Sequence, residues 1–187
     1  MSGRFRIKPL PLAGLNLIER LPITDQRGFL ERLFCMEAFT ELGVPGSLAQ
    51  INHTLTRKRG TVRGMHFQHP PHAEIKVVSC LRGEVFDVAI DLRAGSPTFL
   101  KWHGEVLTAG NFKTLYIPQG FAHGFQTLTD DCEMLYFHTA PYVPNAEGGI
   151  SPIEPRVGIN WPLGLEEISP RDAGHAKLSP EYSGVLL

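Results

Sequence analysis

IKVVSCLRGEVFDVAIDL, residues 75–92, changes character from one residue to the next: Phe86, Val88, Ile90 and Leu92 share one face, and Val85, Asp87, Ala89 and Asp91 the other. Successive side chains on a strand point to opposite sides, so this period of two predicts a sheet strand with one apolar and one mixed face. Strand-like runs continue at residues 99–107, 113–117, 125–128 and 132–138, broken by Gly95-Ser96-Pro97, Ala109-Gly110-Asn111, Pro118-Gln119-Gly120 and Thr129-Asp130-Asp131. Many short strands at near-regular spacing, with Gly and Pro in the turns, predict an all-β sandwich or barrel. A jelly-roll β-sandwich with a few short helices is the expected form.

Upstream of this run, residues 5–19 alternate loosely, and Pro9, Pro11 and Gly14 forbid a long helix there, so an edge strand and turn are expected. Arg27-Gly28 marks a turn before the extended FLERLF, and residues 48–55 alternate again. The best short helix lies at 36–42, with Gly43 placed to cap its end. From Pro141 onward the chain is rich in Pro and Gly and poor in pattern, which predicts an irregular tail folded over the sheet with at most short helices.

The 187 residues suffice for one hydrophobic core, and no shift in composition divides them, so a single domain spanning 1–187 is expected. Eighteen Lys and Arg against nineteen Asp and Glu are spread along the chain and leave a net charge of -1, no footprint for nucleic acid or an anionic membrane. Cys35, Cys80 and Cys132 are odd in number and widely spaced, which fits reduced thiols better than a disulfide framework or a zinc site. No apolar stretch has signal-peptide or membrane-span length, and the expected location is the cytoplasm.

The chemistry is expected just before the opening run, in RGTVRGMHFQHPPHAEIK, residues 59–76. A titratable His66 beside fixed positive charge at Lys76 and Arg63 suits proton abstraction next to a carbonyl: the imidazole takes the proton and the cations hold the developing oxyanion. Arg63 and His66 are an odd number of residues apart, so a local bend is needed to bring them to one wall.

Gly60 with His66 and Gly83, and then PQGFAH at 118–123, resemble the two motifs of the cupin superfamily, whose metal-binding members offer several histidines and a glutamate to a divalent metal. Here Gln68 stands where the second histidine belongs, and His69, His72 and Glu74 sit in a turn-like HPPHAE segment that points them elsewhere. No metal centre is expected, and a metal-dependent cupin is the alternative.

A narrower resemblance covers nearly the whole chain in register. DQRGFLE (25–31), QINH (50–53), VRGMHFQ (62–68), Lys76, RGEVFDVAIDLR (82–93), SPTF (96–99), YIPQGFAHGF (116–125), LYFHTAPYVP (135–144) and SPRDA (169–173) are together similar to the dTDP-4-dehydrorhamnose 3,5-epimerase family. The resemblance implies a jelly roll without metal or other cofactor, usually homodimeric, acting on a nucleotide-linked 4-keto-6-deoxy sugar. It implies catalytic roles for His66 as general base, Asp172 behind its imidazole, Lys76 at the enolate oxygen with support from Arg63, and Tyr136 as the acid on the opposite face. For the nucleotide it implies Arg27, Phe29 and Glu31, in part across the dimer, with Arg27 on the diphosphate and Phe29 or Tyr142 stacked on the base; Gln50, Asn52 and His123 complete the pocket.

Taken singly, His66 reads equally as a core histidine, Lys76 as a snorkelling lysine, Tyr136 as a sheet aromatic and Asp172 as a helix cap; their joint order carries the assignment. The chain departs from many members at Phe137, where a lysine is common, and at His138 to Pro141. A mono-epimerase, an epimerase of a CDP- or GDP-linked sugar, and a non-catalytic sugar-nucleotide-binding cupin are the alternatives.

Overall fold

A computed structural model describes residues 3–187. In chain order it contains β1 (Phe5–Pro9), β2 (Asn16–Arg20), β3 (Ile23–Asp25), β4 (Gly28–Leu30), α1 (Met36–Thr40), β5 (Gln50–Thr56), β6 (Thr61–Gln68), β7 (Lys76–Arg82) and β8 (Glu84–Asp91). These are followed by β9 (Trp102–Thr108), β10 (Lys113–Ile117), β11 (Phe121–Thr127), β12 (Cys132–His138), β13 (Glu147–Gly149), β14 (Glu167–Ile168) and α2 (Pro170–Ala173). Two sheets face each other as a jelly-roll sandwich: β1-β2-β10-β7-β12-β5 forms the first and β13-β6-β11-β8-β9 the second, with β14 added in parallel to β6. The small β3–β4 hairpin stands apart from both.

Because alternate residues face opposite ways, each sheet buries apolar side chains on both surfaces. Val78, Leu115 and Met134 from the first sheet meet Val85, Ala89 and Phe125 from the second in the interior. The outer face of the first sheet packs Val77, Tyr116 and Phe137 under Phe39 of α1. The outer face of the second packs Met65, Val88 and Ile90 under Val157, Ile159 and Trp161 of the segment after β13. Val157, Ile159 and Trp161 are only partly buried, but Ile150 and Val185 of the tail are buried, each contributing about 1.5–3 kcal/mol, and the tail is therefore held by apolar contacts as well as by strand pairing.

The run at 75–92 is two strands in two sheets rather than one. Gly83, at φ +76°, turns the chain from β7 into β8, and a Cβ there would lie 2.8 Å from Cys132 Sγ and 3.2 Å from its Cα. The predicted faces of β8 are correct: Val88, Ile90 and Leu92 point outward under the tail, while Val85 and Ala89 point into the sandwich. β10 and β12 match the sequence reading in extent, whereas β11 begins at Phe121 instead of 125 and so puts His123 on a strand. Residues 5–20 form a hairpin, not a lone edge strand, and the tail supplies the unforeseen β13 and β14. Cys35, Cys80 and Cys132 are free, and burial pushes the Cys80 thiol up to about 12. No helix among the described residues is long and apolar enough to cross a membrane.

Candidate active site

A cavity of about 620 Å³ opens between the two sheets. Its walls come from β5, β6, β7, β11 and β12, and its rim from β13 and the segment leading into α2. On β6 the pairing with β11 slips: His66 lies opposite His123, but Arg63 lies opposite Phe125. One extra residue on β6 is therefore accommodated in a bulge, which is the bend that lets Arg63 and His66 line one wall. Gly64 makes the bulge possible, since at φ +131° a Cβ would sit 2.6 Å from the Gly124 Cα on the neighbouring strand.

α2 brings Asp172 to the back of His66. Ser169 caps this one-turn helix by accepting the Asp172 amide at 3.1 Å, which fixes where the Asp172 side chain starts. Its Oδ1 lies 2.8 Å from His66 Nε2, and its Oδ2 accepts the Gly64 amide at 3.0 Å. Burial works against the charge of Asp172, yet the bonds from His66, the Gly64 amide and Arg171 outweigh it and hold the carboxyl well below the usual carboxylate range. An ionised Asp172 requires a proton on Nε2, which leaves Nδ1 of His66 free as a base. The Arg171 guanidinium also lies 2.9 Å from Nε2, but it cannot donate to a nitrogen that already carries the proton; its acceptors are Asp172 and Glu147, at 3.2 and 3.1 Å.

Lys76 projects from β7 with its ammonium 3.0 Å from Glu74 and 3.1 Å from the His66 carbonyl, so two of its three donors are used and one remains for a ligand. Glu74 is itself gripped at 2.6 Å by the Gln68 amide, whose oxygen accepts the Val143 amide at 2.7 Å. The glutamine that replaces a cupin histidine thus ties the lysine's counter-ion to the chain after β12. His123 forms a second, deeper pair with Asp87, at 2.9 and 3.0 Å, where burial raises the Asp87 pKa against the pull of His123.

Tyr136 lines the cavity from β12, on the first sheet, opposite His66 on the second. Burial, reinforced by the Asp87 charge, raises its pKa, so the phenol keeps its proton at neutral pH. Phe137 points the other way, into the cluster under α1, stacked at 5.2 Å on Phe34. A lysine or a phenylalanine there is outside the cavity. His138, two residues on from Tyr136, lines it.

Of the residues named from the sequence, His66, Asp172, Lys76, Tyr136, Arg63, Gln50, Asn52, His123 and Tyr142 all border this cavity. Arg63 lends its Nε to Thr56 at 2.9 Å, and Gln50 accepts the Tyr142 amide at 2.8 Å. Arg27, Phe29 and Glu31 are not brought into it: Arg27 pairs with Asp25 at 2.5 Å, Phe29 is exposed against Phe112, and Glu31 binds Arg20 at 2.7 Å. None of the three lines the cavity of its own chain. The sequence reading missed Glu147 and Arg171, marked His138 only as a departure from many family members, and turned Glu74 away from the site, whereas Glu74 lines the cavity because its carboxylate pairs with Lys76. Arg171 stood beside Asp172 in SPRDA, whereas Glu147 lay in a stretch with no pattern to mark it.

His66, Asp172 and His175 bring donor atoms within 4.8 Å of one another, the one such trio among the described residues. His66 Nε2 is engaged by Asp172, and the Arg171 cation lies 2.9 Å from it, a positive neighbour that makes the trio a poor place for a metal ion. His69 and His72 lie in the turn before β7, where His69 packs on Phe67.

The chain's relatives share this architecture. Residues 9–180 match the dTDP-4-dehydrorhamnose 3,5-epimerase family. A dTDP-4-dehydrorhamnose 3,5-epimerase of Salmonella typhimurium is 43% identical over 159 residues, 84% of this chain and 86% of its own. A dTDP-4-dehydrorhamnose 3-epimerase of Streptomyces niveus is 38% identical over 183 residues, 97% of this chain and 88% of its own. The crystal structure of the Legionella pneumophila 3,5-epimerase in complex with dTDP-4-keto-L-rhamnose superimposes with a TM-score of 0.86 at 38% identity, covering 91% of each chain. A family match over most of the length, on a fold that frames a His–Asp pair and a tyrosine across one cavity, makes this protein an isomerase: it belongs to the dTDP-4-dehydrorhamnose 3,5-epimerase family.

Proposed function

We propose that the protein inverts C3 and C5 of dTDP-4-dehydro-6-deoxy-D-glucose to give dTDP-4-dehydro-L-rhamnose, with His66, Asp172, Lys76 and Tyr136 as the catalytic group. The observation that carries this reading is that the base and the acid stand on opposite sheets, His66 on β6 and Tyr136 on β12, with the cavity between them. The C4 ketone acidifies the hydrogens on C3 and C5. His66 Nδ1 removes one of them, the C–H electron pair passes to O4 as an enolate, and the free donor of Lys76 meets the new charge while Asp172 steadies the imidazolium. Tyr136 then gives its proton to the same carbon from the other face. Inversion follows because the two groups never share a side.

Arg63 supports Lys76 at the enolate oxygen, Arg171 suits the diphosphate, and Gln50, Asn52 and Tyr142 the nucleoside and sugar; no residue calls for a cofactor or a metal in this chemistry. Arg27, Phe29 and Glu31 act in a neighbouring cavity, within a homodimer in the cytoplasm. Apolar side chains support the dimer: Ile51 is 57% exposed on β5, the free edge of the first sheet, and Phe29 and Leu30 are 58% and 65% exposed on the hairpin.

The test is incubation with dTDP-4-keto-6-deoxyglucose in deuterated water, followed by NMR and mass of the sugar. Deuterium at both C3 and C5 with inverted geometry is expected. Deuterium at one centre would make the protein a mono-epimerase, and none at either would remove the dTDP substrate. His66→Ala should fold and lose both exchange and inversion, and Tyr136→Phe should exchange hydrogen while inverting poorly.

A further inference from the structure

Tyr136 sits between two imidazoles. His123, held by Asp87, meets its ring edge-on at 6.0 Å and 72°, and His138 lies nearly parallel to it in an offset arrangement, centroids 6.1 Å apart and planes at 19°. Both separations fall within the range of favourable ring pairs. Side chains on a strand use more than one χ1 well, so a cavity-lining phenol needs neighbours to select one orientation. His123 closes one side from the second sheet. Beside Tyr136 on the first sheet stand Thr54, close to the phenol, and His138, which shares the cavity face of β12 because it lies two residues further on.

His138 does not carry charge into this arrangement. Burial, then the Lys76 ammonium, and more weakly His123, lower its pKa to about 4 against the pull of Glu74. Its nearest polar neighbour is the Asn52 amide, 3.5 Å from Nε2, a contact too long to anchor it or to be its main purpose. What it presents to Tyr136 is a flat neutral ring.

We propose that His138 is a positioning residue for Tyr136, its imidazole face holding the phenol in the orientation from which the proton is returned, so that hydrogen exchange at carbon is coupled to inversion. This rests on the epimerase reading. His66 breaks the C–H bond and holds the proton, with the electron pair on O4. In the coupled path the enolate pair forms a new C–H bond to the phenol proton on the far face; the phenolate then regains a proton from water, and the imidazolium gives one up. With the phenol displaced, the imidazolium returns a solvent-exchanged proton to the face it came from. The carbon is then labelled but keeps its configuration.

The experiment compares wild type with His138→Ala, His138→Phe and His138→Asn by two readouts. One is the ratio of inverted to merely deuterated sugar from dTDP-4-keto-6-deoxyglucose in deuterated water. The other, which needs no substrate, is the NMR lineshape of ring-labelled Tyr136 in the free protein, assigned with Tyr136→Phe. His138→Ala should lower the ratio about three- to tenfold, the loss expected of one ring contact, and let the Tyr136 ring flip faster. His138→Phe should restore both, and His138→Asn neither. An alanine variant with wild-type ratio or wild-type ring motion overturns the assignment, as does rescue by Asn without rescue by Phe. If wild type itself neither exchanges nor inverts the substrate, the epimerase reading fails, and the ring lineshapes alone decide whether His138 holds Tyr136.

Discussion

Asp172 is 2% exposed, yet it is ionised, and that combination makes its removal informative. Asp172→Asn keeps the shape but lets the amide accept or donate, so Nε2 of His66 no longer has to carry the proton; kcat should fall about 10²–10⁴-fold with little change in nucleotide affinity, measured by NMR turnover and dTDP titration. Because the folded pKa of Asp172 is depressed, its contribution to stability is present above about pH 4 and is lost as pH falls further through the folded value. His138 acts in a different window. Its folded pKa, about 4, lies below the ordinary 6.5, so the unfolded chain binds the extra proton between those values and stability declines as pH drops through them. Urea unfolding at pH 7 and pH 4.5 should show wild type losing roughly 2 kcal/mol more than His138→Phe, the full shift being discounted for partial exposure. That His66 and Tyr136 share one cavity followed from motif order. The place of His138 beside the Tyr136 ring did not, because the sequence marks it only as a departure from many family members.

At the scale of the element, the bulge in β6 is the decisive irregularity. A regular strand would place Arg63 and His66 on opposite faces; the extra residue rejoins them, and Gly64 against Gly124 gives the room. Gly64→Ala would force a Cβ to 2.6 Å from one backbone atom and 2.9 Å from the His123 carbonyl, and should cost roughly 3 kcal/mol of stability and move His66 off Asp172. Thermal unfolding and exchange kinetics check the two effects separately. Alternation in the sequence exposed β8, β10 and β12 because both faces of those strands are specified by what they touch. It did not expose the break at Gly83, where apolar residues continue on both sides while the chain changes sheets. It also missed β13 and β14, whose short segments pair through the backbone and need no pattern of their own.

On the scale of the whole molecule, the hairpin at 23–30 does not line the cavity between the sheets, and Phe29 and Leu30 on its second strand are exposed. Sedimentation velocity should give a dimer. Phe29→Asp with Leu30→Asp should shift it toward monomer and weaken dTDP binding without changing the fold seen by circular dichroism. A wild type that sediments as a monomer while binding dTDP fully would rule out a contribution from the partner. Fold class was readable from strand spacing alone, but the surface proposed to meet a second subunit leaves no periodic trace in one chain.

His66 and Tyr136 hang from different sheets, and only the side chains packed between those sheets, among them Val78, Ala89 and Phe125, set how far apart they stand. The interior is therefore a caliper for stereochemistry. On the proposed mechanism, an enlarged side chain deep in that layer should open the jaws and trade inversion for idle exchange, which would write the fidelity of the product into the thickness of the core.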